Sequence, residues 1–162
     1  MNTVEVHTDS LPENVLAKIP SCTDLEATLQ NAALKTLAYK AIDNAEISIA
    51  IVNDQRIHEI NLQFLNHDYP TDVITFELGE NPANNNFQAE IVVSAETAMS
   101  VAKEVDTTLE MELVLYVVHG TLHLAGLDDH CDEDRAEMRT NERAMMNSLG
   151  FDYKFESPEP AE

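Results

Sequence analysis

The sequence has few positive charges for a chain of its length. Only 9 lysines and arginines stand against 30 aspartates and glutamates among 162 residues, and the net charge is −21. A charge of this sign repels nucleic acid at long range, which argues against a generic basic nucleic-acid-binding protein. A small positive cleft can still exist on an acidic protein, so the balance says little about any single site.

Long apolar runs and paired cysteines are also missing. No run approaches the ~20 residues that span a membrane, and the first ten residues, MNTVEVHTDS, do not form a secretory signal. Cys22 and Cys131 are far apart and make no CxxC motif, so we expect two free thiols of a cytosolic protein. With 162 residues the chain is long enough for one domain with a core. Because 44% of its residues are hydrophobic, we expect it to fold.

The hydrophobic pattern predicts an α/β (α+β) domain with a mixed four-stranded sheet and about five helices. The predicted order is β-α-β-α-β-β-α-α-α, with a loop between Pro12 and Pro20. Strands are expected around Val4, Ile49, residues 73–77 and 88–93. Four later helices follow capping signals at Asn53, at Ser94, at Thr107 with Glu110, and at Asp132. We assign residues 1–154 to one metal-hydrolase-like domain and 155–162 to a flexible acidic tail.

The most informative stretch is VLYVVHGTLHLAGLDDH, residues 114–130. His119 and His123 are four residues apart in an apolar, helix-like run, so both imidazoles leave the same helix face about one turn apart. Gly126 can end the helix in the left-handed conformation and reverse the chain. Residues 128–130, Asp-Asp-His, would then turn back towards the two imidazoles.

This arrangement predicts one zinc ion. A lone pair of histidines four residues apart is usually structural, but buried imidazoles need partners for both nitrogens, and further nitrogen and oxygen donors follow here. Two histidines with a carboxylate or a third histidine leave an open position for water, as in catalytic zinc sites. Zinc lowers the pKa of bound water to about 7, so a hydroxide is available at neutral pH. Asp128 and His130 are the candidates for a general base.

Two rival readings concern the same histidines. A zinc protease has a similar ligand spacing but carries a glutamate directly after the first histidine, where this chain has Gly120. A structural zinc would need four protein ligands, which Asp129 and His130 together could complete. Outside this stretch, Asp72 is read as a turn-capping residue and His67 as a surface residue. His7 and His58 have no partners in the sequence.

Three segments resemble the YbeY family of metal-dependent endoribonucleases. HGTLHLAGLDDH is similar to that family's HGxLHLxGxDH signature, YPTDVITFEL to its PTDVLSF segment, and AEIVVSAE to its GDIxIS strand. The similarity extends from about Asn44 to Gly150. The resemblance implies a small α/β domain with a mixed four-stranded sheet and zinc. It also implies a cytoplasmic bacterial enzyme that acts on single-stranded RNA and on the 3′ end of small-subunit ribosomal RNA, in contact with the ribosomal small subunit.

The chain departs from the family pattern at three places. The third ligand is usually a histidine six residues after the second, where this chain has Asp129, with His130 next. The family often carries an arginine where this chain has Leu65, and a Gly-Asp pair where it has Ala89 and Glu90. Because the register with the family holds without a gap through position 129, we assign Asp129 as the third ligand. His130 is the alternative and requires an insertion.

Overall fold

The computed structural model describes residues 1–8, 11, 13–17 and 22–155. In these residues the chain forms four strands, five helices of at least 11 residues and one single-turn helix, which confirms the predicted fold class. The strands are β1 (Thr3–His7), β2 (Ala45–Val52), β3 (Val73–Glu80) and β4 (Phe87–Ser94). The helices are α1 (Glu13–Leu16), α2 (Cys22–Tyr39), α3 (Asp54–Leu65), α4 (Ala95–Val105), α5 (Leu109–Leu124) and α6 (Asp132–Ser148).

The strands form one mixed sheet in the order β1-β2-β4-β3. β1 pairs with β2 and β2 with β4 in parallel, whereas β3 and β4 are antiparallel. The short connection between β3 and β4 therefore makes the predicted hairpin-like pair. In this order β3 is an edge strand of the four. A bulge between Glu77 and Gly79 interrupts its register with β4.

Helix α5 lies at the centre of the larger core. Every residue from Glu112 to Val118 is buried, because the helix contacts α2, α4, α6 and the two strands β3 and β4. Burying one large apolar side chain contributes about 1.5–3 kcal/mol, so this run anchors the helix firmly. The residues that follow Val118 are held by the same packing.

Helix α3 covers the other face of the sheet with a smaller core. Ile57 and Ile60 pack there against Ile74 and Val92. The helix begins at the predicted cap, since the Asn53 side chain accepts a hydrogen bond from the Arg56 amide. It ends at Asn66, which adopts a left-handed conformation with φ of 58°. The chain leaves α3 abruptly at that residue.

Several predicted boundaries were wrong. The single turn α1 lies within the stretch predicted as a loop. Thr108, and not Thr107, caps α5, because the Thr107 hydroxyl donates to the buried Glu112 carboxylate at 2.6 Å. Cys131, and not Asp132, is the N-cap of α6. The predicted acidic tail lies outside the described residues, apart from Phe155.

None of the helices formed by the described residues is both long and apolar enough to cross a bilayer.

Candidate metal centre

The candidate metal centre lies at the C-terminal end of α5. His119 and His123 are one helical turn apart, with ring centroids 4.6 Å apart and ring planes at 82°. The helix stops just beyond them, because Gly126 adopts φ of 104°. Its amide donates to the His123 carbonyl at 3.0 Å, and the next amide, of Leu127, donates to the Leu122 carbonyl. This turn reverses the chain as the sequence predicted.

The reversed chain brings Asp129 back to both imidazoles. Its Oδ2 atom lies 3.6 Å from Nε2 of His119 and 3.6 Å from Nε2 of His123. One ligand atom from each of the three residues lies within 4.8 Å of the others, so the group could hold a metal ion. Donors bound about 2.0–2.2 Å from one tetrahedral ion lie roughly 3.4 Å apart, so these separations suit zinc. Three protein donors leave the fourth position open.

Glu142 of α6 holds the first imidazole in place. Nδ1 of His119 donates to Glu142 Oε2 at 2.6 Å, and Arg139 lies 3.6 Å from the other carboxylate oxygen. Only 7% of the Glu142 side chain is exposed. A proton on Nδ1 leaves a free lone pair on Nε2, on the side of the ring that faces Asp129. This is the tautomer that a metal requires. The packing of α6 against α5 therefore sets the direction of the ligand atom.

Neighbouring charges also act on His119. Burial lowers its pKa, but the hydrogen bond and charge of Glu142, together with the charges of Asp129 and Asp72, outweigh burial. The net pKa of His119 is raised. The charge of Asp72 therefore acts on the candidate centre, although Asp72 and His119 are far apart in the sequence.

Other polar side chains lie further along α5, on the N-terminal side of His119. Glu112 and Tyr116 precede His119 by seven and three residues and so share its helix face. The Tyr116 hydroxyl is buried and has no hydrogen-bond partner among the described residues. Burial raises the pKa of Tyr116, and the charges of Asp72 and Glu112 raise it further. Burial and the Glu112 carboxylate likewise raise the pKa of Tyr153.

The remaining predicted residues lie outside the group of three. His130 is 82% exposed, and its Nε2 atom faces Asp128 Oδ1 at 3.7 Å. The Asp72 carboxylate accepts the Val73 amide at 2.7 Å, as expected of a capping residue. His58 pairs with Asp68 at 2.8 Å, a partner that the sequence did not predict.

Gly120 faces the sheet and not the candidate centre. A Cβ atom at this position would lie 3.1 Å from methyl groups of Ile91 and Thr75, and 3.4 Å from one of Val73. These distances leave no room for a long side chain. A glutamate next to the first histidine, as in zinc proteases, would therefore disturb the packing of α5 on β3 and β4.

Sequence reasoning missed Glu142, although a signal was present. Glu142 lies four residues after Met138 and three before Met145, and both methionines are buried on α6. A charged residue on the apolar stripe of a helix indicates a buried partner. Glu112 shows the same signal, because it precedes an unbroken apolar run in α5.

Cationic side chains are scarce near the exit of α3. Leu65, at the position where the family often has arginine, is 44% exposed. Between residues 54 and 80 the sequence has one lysine or arginine, Arg56, and its guanidinium lies 3.4 Å from Glu59.

Glu90, at a position where the chain departs from the family pattern, lies within β4, opposite Phe76 of β3.

Comparison with known proteins gave consistent matches. The family model described as "Endoribonuclease YbeY" matches residues 14–150. An endoribonuclease YbeY of Rhodopirellula baltica is 39% identical over 160 residues, which cover 97% of this chain and 81% of the relative. One of Desulfitobacterium hafniense is 34% identical, with 88% and 93% covered. A Thermotoga maritima protein solved in solution superposes with a TM-score of 0.60 at 27% identity, covering 92% of this chain and 89% of that one.

Proposed function

The chain belongs to the YbeY endoribonuclease family, and on that premise we propose that it is a zinc-dependent hydrolase that cuts single-stranded RNA. The observation that carries the proposal is the group of His119, His123 and Asp129, which could hold a metal ion. Relatives that are similar to this chain over most of its length are named endoribonucleases. Residues 1–154 would act together as one domain.

The protein's part in catalysis is to hold and orient. His119 and His123 would each present Nε2 to the ion, and Asp129 would add a carboxylate oxygen. When bound, zinc supplies a nucleophile at neutral pH and polarises a phosphoryl oxygen. Glu142 keeps the proton on Nδ1 of His119, so that ring stays oriented between cycles. Asp128 and His130 are candidates for moving a proton, and both lie in the loop that carries Asp129.

The resemblance supports a more specific role. We propose that the RNA is ribosomal, that cleavage contributes to maturation of the 3′ end of small-subunit RNA and to ribosome quality control, and that the protein works in the cytoplasm beside the small subunit. The strong negative charge of the chain, −21, fits an enzyme that meets RNA through a defined site and not through long-range attraction.

Two alternative functions receive less support. Peptide hydrolysis is disfavoured because position 120, which carries the general base in zinc proteases, faces the sheet without room for a long side chain. A purely structural zinc is disfavoured because a closed site needs four ligands. His130, the nearest fourth donor in the sequence, is 82% exposed and lies outside the group of three.

A paired cleavage assay tests the proposal. Purified protein should cut single-stranded RNA and leave casein intact, activity should disappear with a chelator, and added zinc should restore it. His123→Ala prepared in the same way is the control for contaminating nucleases. Chelator-sensitive casein digestion with intact RNA would reverse the assignment.

A further inference from the structure

The end of α3, its connection to β3 and β3 itself expose large apolar side chains. All nine residues from 62 to 70 are exposed. Across the described residues the exposed large hydrophobics are Met1, Tyr39, Leu62, Phe64, Leu65, Tyr69 and Leu78. Five of these seven lie between residues 62 and 78. Grouped exposed apolar residues often mark a binding surface, whereas single ones are common on any protein.

Two rings in this connection form a preorganised face. The rings of His67 and Tyr69 are stacked, with centroids 5.3 Å apart and planes at 10°. Asn61, which is 1% exposed, fixes the backbone on both sides of them. Its carbonyl accepts the His67 amide at 3.2 Å, and its side chain donates to the Tyr69 carbonyl at 2.8 Å. The two exposed rings are therefore held by a buried anchor.

The stacked rings lie a short distance along the chain from the metal centre. Tyr69 precedes Asp72 by three residues, which span at most about 10 Å. The charge of Asp72 is felt at His119, and the next residue, Val73, lies against Gly120 of α5. The rings therefore lie on the segment that leads directly to the strand packed against α5 beside the centre.

The segments next to the rings supply no unpaired cation for phosphate binding. Arg56 is the one lysine or arginine between residues 54 and 80, and it is paired with Glu59. Asp68, between the two rings in sequence, is 80% exposed and pairs with His58. Stacking on aromatic rings needs no cation, because every nucleobase has a flat face. If the substrate is RNA, this surface would contact its bases and not its backbone.

We infer that the His67–Tyr69 pair is a stacking platform for a nucleobase of single-stranded RNA beside the metal centre. The inference rests on the proposed function and adds a mode of substrate recognition. The platform would hold a nucleotide elsewhere on the same strand as the one that is cut.

Three variants of the full chain test the platform. Tyr69→Ala removes the ring, Tyr69→Phe keeps it, and Tyr39→Ala removes a tyrosine of matched exposure, 51% against 53%. The probe is a single-stranded oligoribonucleotide carrying 2-aminopurine, a base whose fluorescence is quenched by stacking. Tyr69→Ala should weaken binding by roughly five- to 100-fold and lose quenching. Tyr69→Phe and Tyr39→Ala should bind as the wild type does, and metal content should be equal in all.

A second probe separates stacking from other losses. An oligoribonucleotide with one abasic position opposite the platform should bind wild type and Tyr69→Ala equally. If Tyr69→Ala binds and quenches like the wild type while RNA cleavage is intact, the platform is refuted, the proposed function stands, and the apolar surface is left for a protein partner. If the wild type neither binds nor cuts RNA, both fall.

Discussion

His119 and Tyr69 are built into the molecule in opposite ways. His119 follows a run of buried residues in α5, and its imidazole is held by the buried Glu142 of α6. Tyr69 belongs to nine exposed residues and depends on one buried anchor, Asn61. His119 is therefore anchored by buried residues of two helices, whereas the proposed platform is attached to the core at one residue. Substitutions in the first region should cost metal and stability, and those in the second should change RNA affinity alone.

The largest effect is expected from His119→Ala. Metal affinity should fall by more than about 100-fold, because removing only an outer partner of a ligand already costs roughly 10–100-fold. RNA cleavage should disappear with the metal. Calorimetric titration with zinc measures the loss. Zinc binding with wild-type affinity in this variant would contradict the role of His119 as a ligand.

Glu142 gives a smaller effect that separates orientation from ligation. Glu142→Ala should weaken zinc binding by roughly 10–100-fold, since nothing then holds Nδ1 of His119. Glu142→Gln keeps an acceptor for that proton and should lose less. The same zinc titration distinguishes the two. If both variants bound zinc as tightly as the wild type does, the hydrogen bond would not be needed to orient the ring.

Gly120→Ala tests the packing beneath the centre. The new methyl group would lie 3.1 Å from Ile91 and Thr75. Overpacking costs about 1–3 kcal/mol, partly offset by about 1 kcal/mol of better helix propensity, so we expect a net loss of about 1 kcal/mol. Urea unfolding measures this change. A free energy of unfolding equal to that of the wild type would mean that the sheet side chains move aside.

Leu65→Arg, at the end of α3, should have the smallest effect. A cation there would add about one phosphate contact, so binding should strengthen a few-fold at low salt and its logarithmic salt slope should steepen by about 0.7. Tyr39→Arg adds the same charge elsewhere and is the control. RNA binding at several salt concentrations measures both. An identical gain in the two variants would point to net charge and not to position.

Much of the fold followed from local patterns. The caps at Asn53 and Ser94 were predicted and are present, and alternation along β2 marked a strand. Strand order could not be predicted in this way, because periodicity reports the faces of an element and not its neighbours. The α5 cap was misplaced from Thr108 to Thr107 because either of two adjacent threonines can cap a helix, and the Thr107 hydroxyl donates instead to Glu112 in the first turns of α5.

The candidate site divides along the same line. Spacing alone placed His119 and His123 on one face of a helix, and the glycine stop anticipated the returning loop. Glu142 was not found, because it belongs to another helix and its role exists only when α6 packs on α5. The stacked His67 and Tyr69 were also not recognised, since no sequence rule fixes a ring pair across an irregular connection.

The most direct test of the metal centre compares Asp129→Ala with His130→Ala. Zinc content after purification and zinc affinity by titration should be measured for both, beside the wild type. We expect about one zinc in the wild type and in His130→Ala, and a large loss in Asp129→Ala, because only Asp129 lies 3.6 Å from both imidazoles. Zinc retained in Asp129→Ala and lost in His130→Ala would contradict this account and show that the loop delivers the histidine instead.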